Sequence, residues 1–273
     1  MCGRYVMARA TSDLVALGDA EANEDLVLRQ SWNVAPTAEV PILVAHADDV
    51  GAGVTRRIHV ARWGLVPPWA KELSVGSRAF NARSETVASK PTFRAAVRAR
   101  RCAVPVEGYY EWKAPEPGAK GPDGRIAKKQ SYYVHPAGAG DGEGPVIWFA
   151  GLYEWWQDPE AKAAGEDAWV LSTTILTMAA PDADDDEPVL AALGQLHDRL
   201  PVPMDAETRD RWLAPDTLGS AEEADALVGE VCAGAYDVAA GWSLRPVGGA
   251  VGNVRNNGPE LTQEMREQQG TLL

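Results

Sequence analysis

Apolar and polar positions alternate along much of the chain in the two-residue period of half-buried strands. Val40–Val44 and Ile58–Trp63 read as strands, as do Cys102–Val106 and Tyr109–Trp112, which turn from one into the other. Ser131–His135 and Val146–Tyr153 continue the pattern, and Val170–Thr177 is a strand rich in β-branched residues. Helical spacing is sparser. It predicts a short helix over Ala10–Leu17, with Thr11, Ser12 and Asp13 as capping side chains, and further helices over Thr92–Arg100, Asp205–Leu213 and Ala221–Val231. Trp63–Trp69 contains Gly64 and the pair Pro67-Pro68, so it reads as a turn or loop. Loops are also predicted at 114–129, 137–145 and 181–188. Because β patterning resumes on both sides of each, they read as insertions and not as linkers. The expectation is a single α+β domain over 1–273, with several mainly antiparallel sheets and peripheral helices.

Composition narrows this picture. A chain of 273 residues with 45% hydrophobic and 24% charged residues has the makeup of a globular protein with ample core. Three cysteines (Cys2, Cys102, Cys232) are too few and too scattered for a disulfide or zinc framework, which points to a reducing compartment. No apolar run suits a bilayer span, and the start lacks the layout of a signal peptide, so a cytoplasmic protein without a membrane partner is expected. No metal-ligand spacing and no phosphate-cradling glycine loop occurs, so neither a metal nor a cofactor is expected.

The net charge of −13 hides an asymmetry. Residues 1–130 carry 19 basic against 14 acidic side chains, whereas 131–273 carry 7 against 25. Between Arg78 and Arg101, seven basic residues face only Glu85. Charge alone fits a solvated helix face as well as a local attraction for a polyanion. Ten tryptophans are expected mostly in the core, Trp63, Trp148 and Trp169 among them, while Trp69 and Trp112 have contexts suited to stacking on unpaired bases. Such stacking is worth about 1–3 kcal/mol per base.

Chemistry concentrates at Cys2. Removal of Met1 would place a thiol and an α-amine on one residue. The α-amine has a pKa of about 7.7–8.0 against about 10.4 for lysine, so it is a competent nucleophile at neutral pH. An aldehyde meeting it forms a Schiff base, and the thiol can then close a five-membered thiazolidine. By itself, a cysteine at position 2 is better read as a small residue after the start with no role. Glu111, between Tyr110 and Trp112, sits where aromatic neighbours would desolvate its carboxylate, suiting it to general acid–base work, and an exposed strand position is the alternative. His197, followed by Asp198, could shuttle protons or serve as a structural histidine.

Several segments occur in an ordered series: Met1–Tyr5, Trp32–Pro36, Trp63–Pro67, Asn81–Thr86, Cys102–Pro105, Gly108–Lys113, Phe149–Tyr153, Leu196–Pro201 and Val251–Asn256. Together they resemble the SRAP family of SOS-response-associated peptidases, or abasic-site-processing proteins. The resemblance implies binding to abasic sites in single-stranded DNA and a stable thiazolidine crosslink that shields the lesion. It makes Cys2 the nucleophile, Asn81 a positioning group for the cysteine and the opened sugar, Glu111 the proton carrier, and His197 the acid that opens the sugar ring. It places Arg4, Asn33, Trp69, Arg83, Lys90, Trp112 and Arg199 near the DNA. Lyase-type chemistry and removal of Met1 also follow from it, for a monomer that joins the nucleoid when bound to DNA. This chain departs from the family pattern at Ala70, where some members repeat an aromatic after the loop tryptophan, and at Lys90-Pro91, where others have arginine. Cys2 also leaves room for an N-terminal-nucleophile glutamine amidotransferase, for a cysteine peptidase using His197, or for a non-covalent single-strand-binding module.

Overall fold

The computed structural model describes residues 2–47, 53–121, 124–138 and 144–265. In chain order the elements are β1 (Tyr5–Met7), α1 (Thr11–Gly18), β2 (Ser31–Val34), β3 (Glu39–Ala47), β4 (Val54–Trp63), β5 (Asn81–Arg83), α2 (Arg94–Ala99), β6 (Arg101–Val106), β7 (Gly108–Lys113), β8 (Gln130–Pro136), β9 (Ile147–Gln157) and α3 (Pro159–Ala163). They continue with β10 (Trp169–Ala179), α4 (Pro188–Leu196), β11 (Arg199–Pro201), β12 (Pro203–Met204), α5 (Ala206–Leu213), α6 (Ala221–Ala233), α7 (Ala235–Ala240) and β13 (Trp242–Val247). The architecture is α+β, and most strand pairs are antiparallel.

Five strands close on themselves. Around the ring, β10 pairs β4, β4 pairs β3, β3 pairs β6, β6 pairs β9, and β9 returns to β10. Closure leaves no free edge within the ring. Large apolar side chains such as Ile42, Leu43, Trp63, Phe149 and Leu152 are buried on its two faces, where successive strand residues point in turn. Strand β10 has two sets of partners. Its first half lies between β9 and β4, and its second half lies between β5 (Ile175↔Asn81, Thr177↔Arg83) and β11 (Thr177↔Pro201, Ala179↔Arg199). The pairings of β10 with β4 and with β5 are parallel, so β5 continues the edge that β4 leaves.

A second sheet runs β13-β8-β7-β1-β2. The chain passes into it from the ring at Glu107, between β6 and β7. The Glu107 carboxylate accepts the Ala8 N–H at 2.5 Å and lies 3.6 Å from Arg9. Strand β1 pairs β7 with Tyr5 opposite Tyr109, which brings the first residues of the chain against the ring. There Tyr5 meets Trp63 at a ring separation of 5.0 Å, and Trp63 meets Phe80 at 5.9 Å.

The 64–80 connection returns to the ring by a backbone-to-backbone contact. Gly64 has φ +126°, and a Cβ there would stand 2.5 Å from the Gly76 carbonyl, so only glycine fits. Val66, Ala70 and Trp156 form a small separate core under this loop, and the Trp156 indole donates to the Ala70 carbonyl at 2.8 Å. Neighbouring Trp69 projects outward, 63% exposed.

Several expectations need correction. Helix α1 starts after Ala10 with no side-chain cap, because the Thr11 hydroxyl donates to the Leu26 carbonyl instead. The helix expected from Thr92 is only six residues long. Helix α4 was not foreseen, since Pro188 at its first turn follows the acidic stretch 181–188 and reads as its end. Trp169 is not core. It opens β10 on the outward face, diagonal to Trp155, and is 52% exposed, whereas Trp63 and Trp148 are buried. Of the loops expected at 114–129 and 137–145, residues 122–123 and 139–143 lie outside the described residues.

The basic run divides. Arg78, Arg83, Lys90 and Arg94 are exposed, but the last three arginines serve the fold. Arg98 donates to the carbonyls of Leu218 and Gly219, and Arg100 pairs with Glu154 at 2.7 Å. Arg101 is buried, and its guanidinium donates to the carbonyls of Val97, Arg98, Trp212, Ala214 and Asp216. It fastens the turn after α5 to the start of β6. Truncation would leave those acceptors without a donor, so Arg101→Ala is expected to cost about 3 kcal/mol or more in urea unfolding, far beyond Arg94→Ala on the surface.

Candidate active site

Three of the four predicted catalytic side chains come from different elements and are brought together by the packing of β1 against the ring. Cys2 is fully buried ahead of β1, and its carbonyl accepts the Asn81 Nδ2–H at 2.8 Å. Asn81 opens β5, held at that position by the parallel pairing with Ile175 and by the Trp63 indole, which donates to the carbonyl of the preceding Phe80 at 2.9 Å. Glu111 lies on β7, two residues beyond the Tyr5–Tyr109 pair, and is 5% exposed. One of its carboxylate oxygens accepts the Trp112 N–H at 3.1 Å.

The electrostatics follow from this enclosure. Burial pushes the Cys2 thiol well above its ordinary range, and the nearby negative charge of Glu111 pushes it the same way, outweighing a hydrogen bond from the Arg4 backbone N–H. Burial likewise raises Tyr5 and Tyr109, with Cys2 as the next cause for each. These two phenols, unremarked in the sequence apart from their motifs, are therefore buried within the electrostatic reach of the sulfur. Two polar atoms here, Asn81 Oδ1 and the Tyr5 hydroxyl, are buried without a hydrogen-bond partner among the described residues. Such atoms mark a place where a further polar group is accommodated.

His197 follows α4 and precedes β11. Its Nδ1 lies 3.0 Å from the Arg199 backbone N–H and 2.7 Å from Asp198 Oδ1. It reaches the Asn81 segment through a fork: Arg199 Nη1 and Nη2 lie 2.5 and 2.9 Å from the two Glu85 oxygens.

The side chains expected near DNA separate by environment. Trp69, Arg83 and Lys90 are exposed. Lys90 and Arg78 line a cleft of about 510 Å³ with Asn81, Ser74, Ser77 and Phe93. Arg4 and Asn33 instead face inward. Arg4 donates to Asn33 Oδ1 and to the Val251 carbonyl, and Asn33 Nδ2 lies 2.9–3.3 Å from the carbonyls of Val251, Asn253 and Asn256. They tie the first strands to the 249–256 segment. Trp112 is half-buried against the cluster of Val6, Tyr110 and Tyr133. Among the described residues no three His, Cys, Asp or Glu side chains group as metal ligands would, and no helix is long and apolar enough to cross a membrane.

Residues 1–254 match the family described as SOS response associated peptidase (SRAP). The chain belongs to the SRAP family. This SRAP chain is 31% identical over 268 residues to the abasic site processing protein YoqW of Bacillus subtilis (strain 168), covering 96% of this chain and 99% of that one. It is 27% identical over 256 residues to the abasic site processing protein HMCES of Rattus norvegicus, covering 84% of this chain and 64% of the relative. A crystal structure of a Bacteroides thetaiotaomicron protein shares the fold, with a TM-score of 0.69 at 20% identity over 97% of this chain and 100% of that one.

The raised thiol and phenols give this SRAP fold a pH signature. In the unfolded chain these groups ionise near their ordinary values, 9.0 for the thiol and 10.0 for the phenols, while the folded form keeps them protonated. The unfolded state then binds fewer protons, so stability is full below that range and is lost as pH rises through it. Urea unfolding is expected to show a steady loss above about pH 9, with a shallower loss in Cys2→Ala.

Proposed function

We propose that the chain processes abasic sites in single-stranded DNA, capturing the lesion covalently through Cys2 after Met1 has been removed. The observation that carries this reading is the placement of Cys2, fully buried, with its carbonyl held by Asn81 and its sulfur within the field of Glu111.

An abasic deoxyribose is in equilibrium with its ring-opened aldehyde, and His197 is the acid assigned to opening it. The α-amine attacks the aldehyde carbon, and loss of one water leaves an imine. Glu111 carries the protons of those steps. The Cys2 S–H then adds across the C=N bond: sulfur bonds to carbon, the proton goes to nitrogen, and the thiazolidine closes. The balance is one water lost overall. At the imine stage β-elimination is the competing lyase outcome. Holding the thiol protonated suits this order, amine first and sulfur second. It runs against an amidotransferase or a cysteine peptidase, which need a thiolate to attack first. The unpartnered Asn81 Oδ1 is an acceptor suited to the α-amine of a chain that begins at Cys2.

Arg83 and Lys90, with Arg78 and Arg94 beside them, supply the exposed positive charge for a phosphate backbone, and Trp69 supplies an open ring face. Arg4 and Asn33 serve the DNA indirectly by fixing the first strands, and Trp112 by packing behind Glu111. A −18 balance over 131–273 confines the attraction to the N-terminal half.

Incubation with an oligonucleotide bearing one abasic site is expected to yield an adduct that survives heat and SDS. Cys2→Ala should give none, leaving at most an imine that borohydride traps. Equal yields from the two proteins would contradict the closed ring. Duplex DNA with an internal site should react more slowly, since the lesion must leave the stack. Capture of the single strand should weaken as salt rises, and Lys90→Ala combined with Arg83→Ala should flatten that slope by about two phosphate contacts.

A further inference from the structure

Glu85 has no role in the steps above, yet it is the one acidic side chain in the basic run, and its partner adjoins the proposed acid. We infer that Glu85 is a positioning residue for His197, acting through Arg199. This inference rests on the abasic-site reading for its kinetic consequence but not for its geometry.

Three contacts make the relay. Glu85 follows β5 by two residues and meets Arg199 as a fork, Nη1 to Oε1 at 2.5 Å and Nη2 to Oε2 at 2.9 Å. Two parallel charge-assisted bonds fix a guanidinium in plane and in direction, which a single contact does not. Arg199 Nη2 also donates to the Thr177 carbonyl at 2.6 Å, so the arginine crosses the second half of β10 and joins its two edges, β5 and β11. The Arg199 side chain is only 10% exposed, while that of Glu85 is 49% exposed. The arginine is therefore the buried member, held where its own backbone N–H reaches His197 Nδ1 at 3.0 Å. The Arg199 hydrogen bond holds the Glu85 carboxyl below the usual carboxylate range, so the fork persists at neutral pH.

The consequence falls on one nitrogen. Two of the groups around His197 make opposite demands on its Nδ1. The Arg199 N–H needs Nδ1 as an acceptor, which puts the neutral ring's proton on Nε2. Asp198 Oδ1, 2.7 Å away, needs Nδ1–H. A fixed Arg199 backbone selects the first arrangement in the neutral ring and leaves Asp198 to receive Nδ1–H when the ring is protonated. Loosening Arg199 hands the neutral ring to Asp198, turning the wrong nitrogen into the donor.

The test uses the full-length protein as wild type, Glu85→Gln and Glu85→Ala, with folding checked by circular dichroism. Nitrogen NMR of ¹⁵N-histidine-labelled protein reads the tautomer without DNA. Wild type should show His197 Nδ1 bare and Nε2 protonated, and Glu85→Ala should shift weight to the Nδ1–H form. Single-turnover crosslinking of an abasic single strand at saturating concentration should slow at least about tenfold in Glu85→Ala. Glu85→Gln keeps an acceptor oxygen and should recover part of that loss. Unchanged His197 nitrogen shifts together with an unchanged maximal rate in Glu85→Ala would overturn the inference. Absence of any adduct from wild type would overturn the function proposed above, and the nitrogen shifts alone would then decide the role of Glu85.

Discussion

The hydrogen bond from Asn81 Nδ2 to the Cys2 carbonyl holds the beginning of the chain in place, and the geometry of the site follows from it. Cys2 is fully buried because the following strand pairs β7 and sets Tyr5 against Trp63 with the ring planes tilted by 59°. Asn81 closes the arrangement from the other side. The same tryptophan supports both partners, through its ring against Tyr5 and its indole N–H to the Phe80 carbonyl. A core residue of the ring thus sets the distance between the cysteine and the side chain that orients it.

Strand β10 does comparable work for the rest of the site. Its first half belongs to the closed ring, and its second half carries β5 on one edge and β11 on the other. Asn81 and the His197–Arg199 segment are therefore mounted on a single strand of eleven residues, and the Glu85–Arg199 fork ties them across it. The basic charge of the region is divided by depth: Arg78, Arg83, Lys90 and Arg94 are exposed, while Arg98, Arg100 and Arg101 hold the turns behind them.

What the sequence conveyed followed the reach of its signals. Long strands with alternating or β-branched residues, such as β4 and β10, were legible, as were α5 and α6. Strands β1, β2 and β11 have three or four residues each, too few for a period to show, and they matter only through partners distant in sequence. Cys2, Asn81, Glu111 and His197 could be singled out by residue type and motif, but that Asn81 grips a backbone carbonyl and not a side chain is a tertiary fact. Arg4, Asn33 and Arg199 looked alike in sequence as polar groups available to DNA, and their inward partners lie tens to hundreds of residues away. Glu85 was visible as the exception in a basic run and as a member of the Asn81–Thr86 motif, but its partner lies 114 positions on.

The central claim is that the α-amine and thiol of one residue clamp an aldehyde carbon. Intact-mass spectrometry of the purified protein, before and after reaction with an abasic oligonucleotide, examines it most directly. The account predicts a protein lacking Met1 and an adduct whose mass is the sum of protein and oligonucleotide less one water, with fragmentation placing the modification on Cys2. A fully reactive protein that retains Met1, or an adduct located on a lysine, would contradict it.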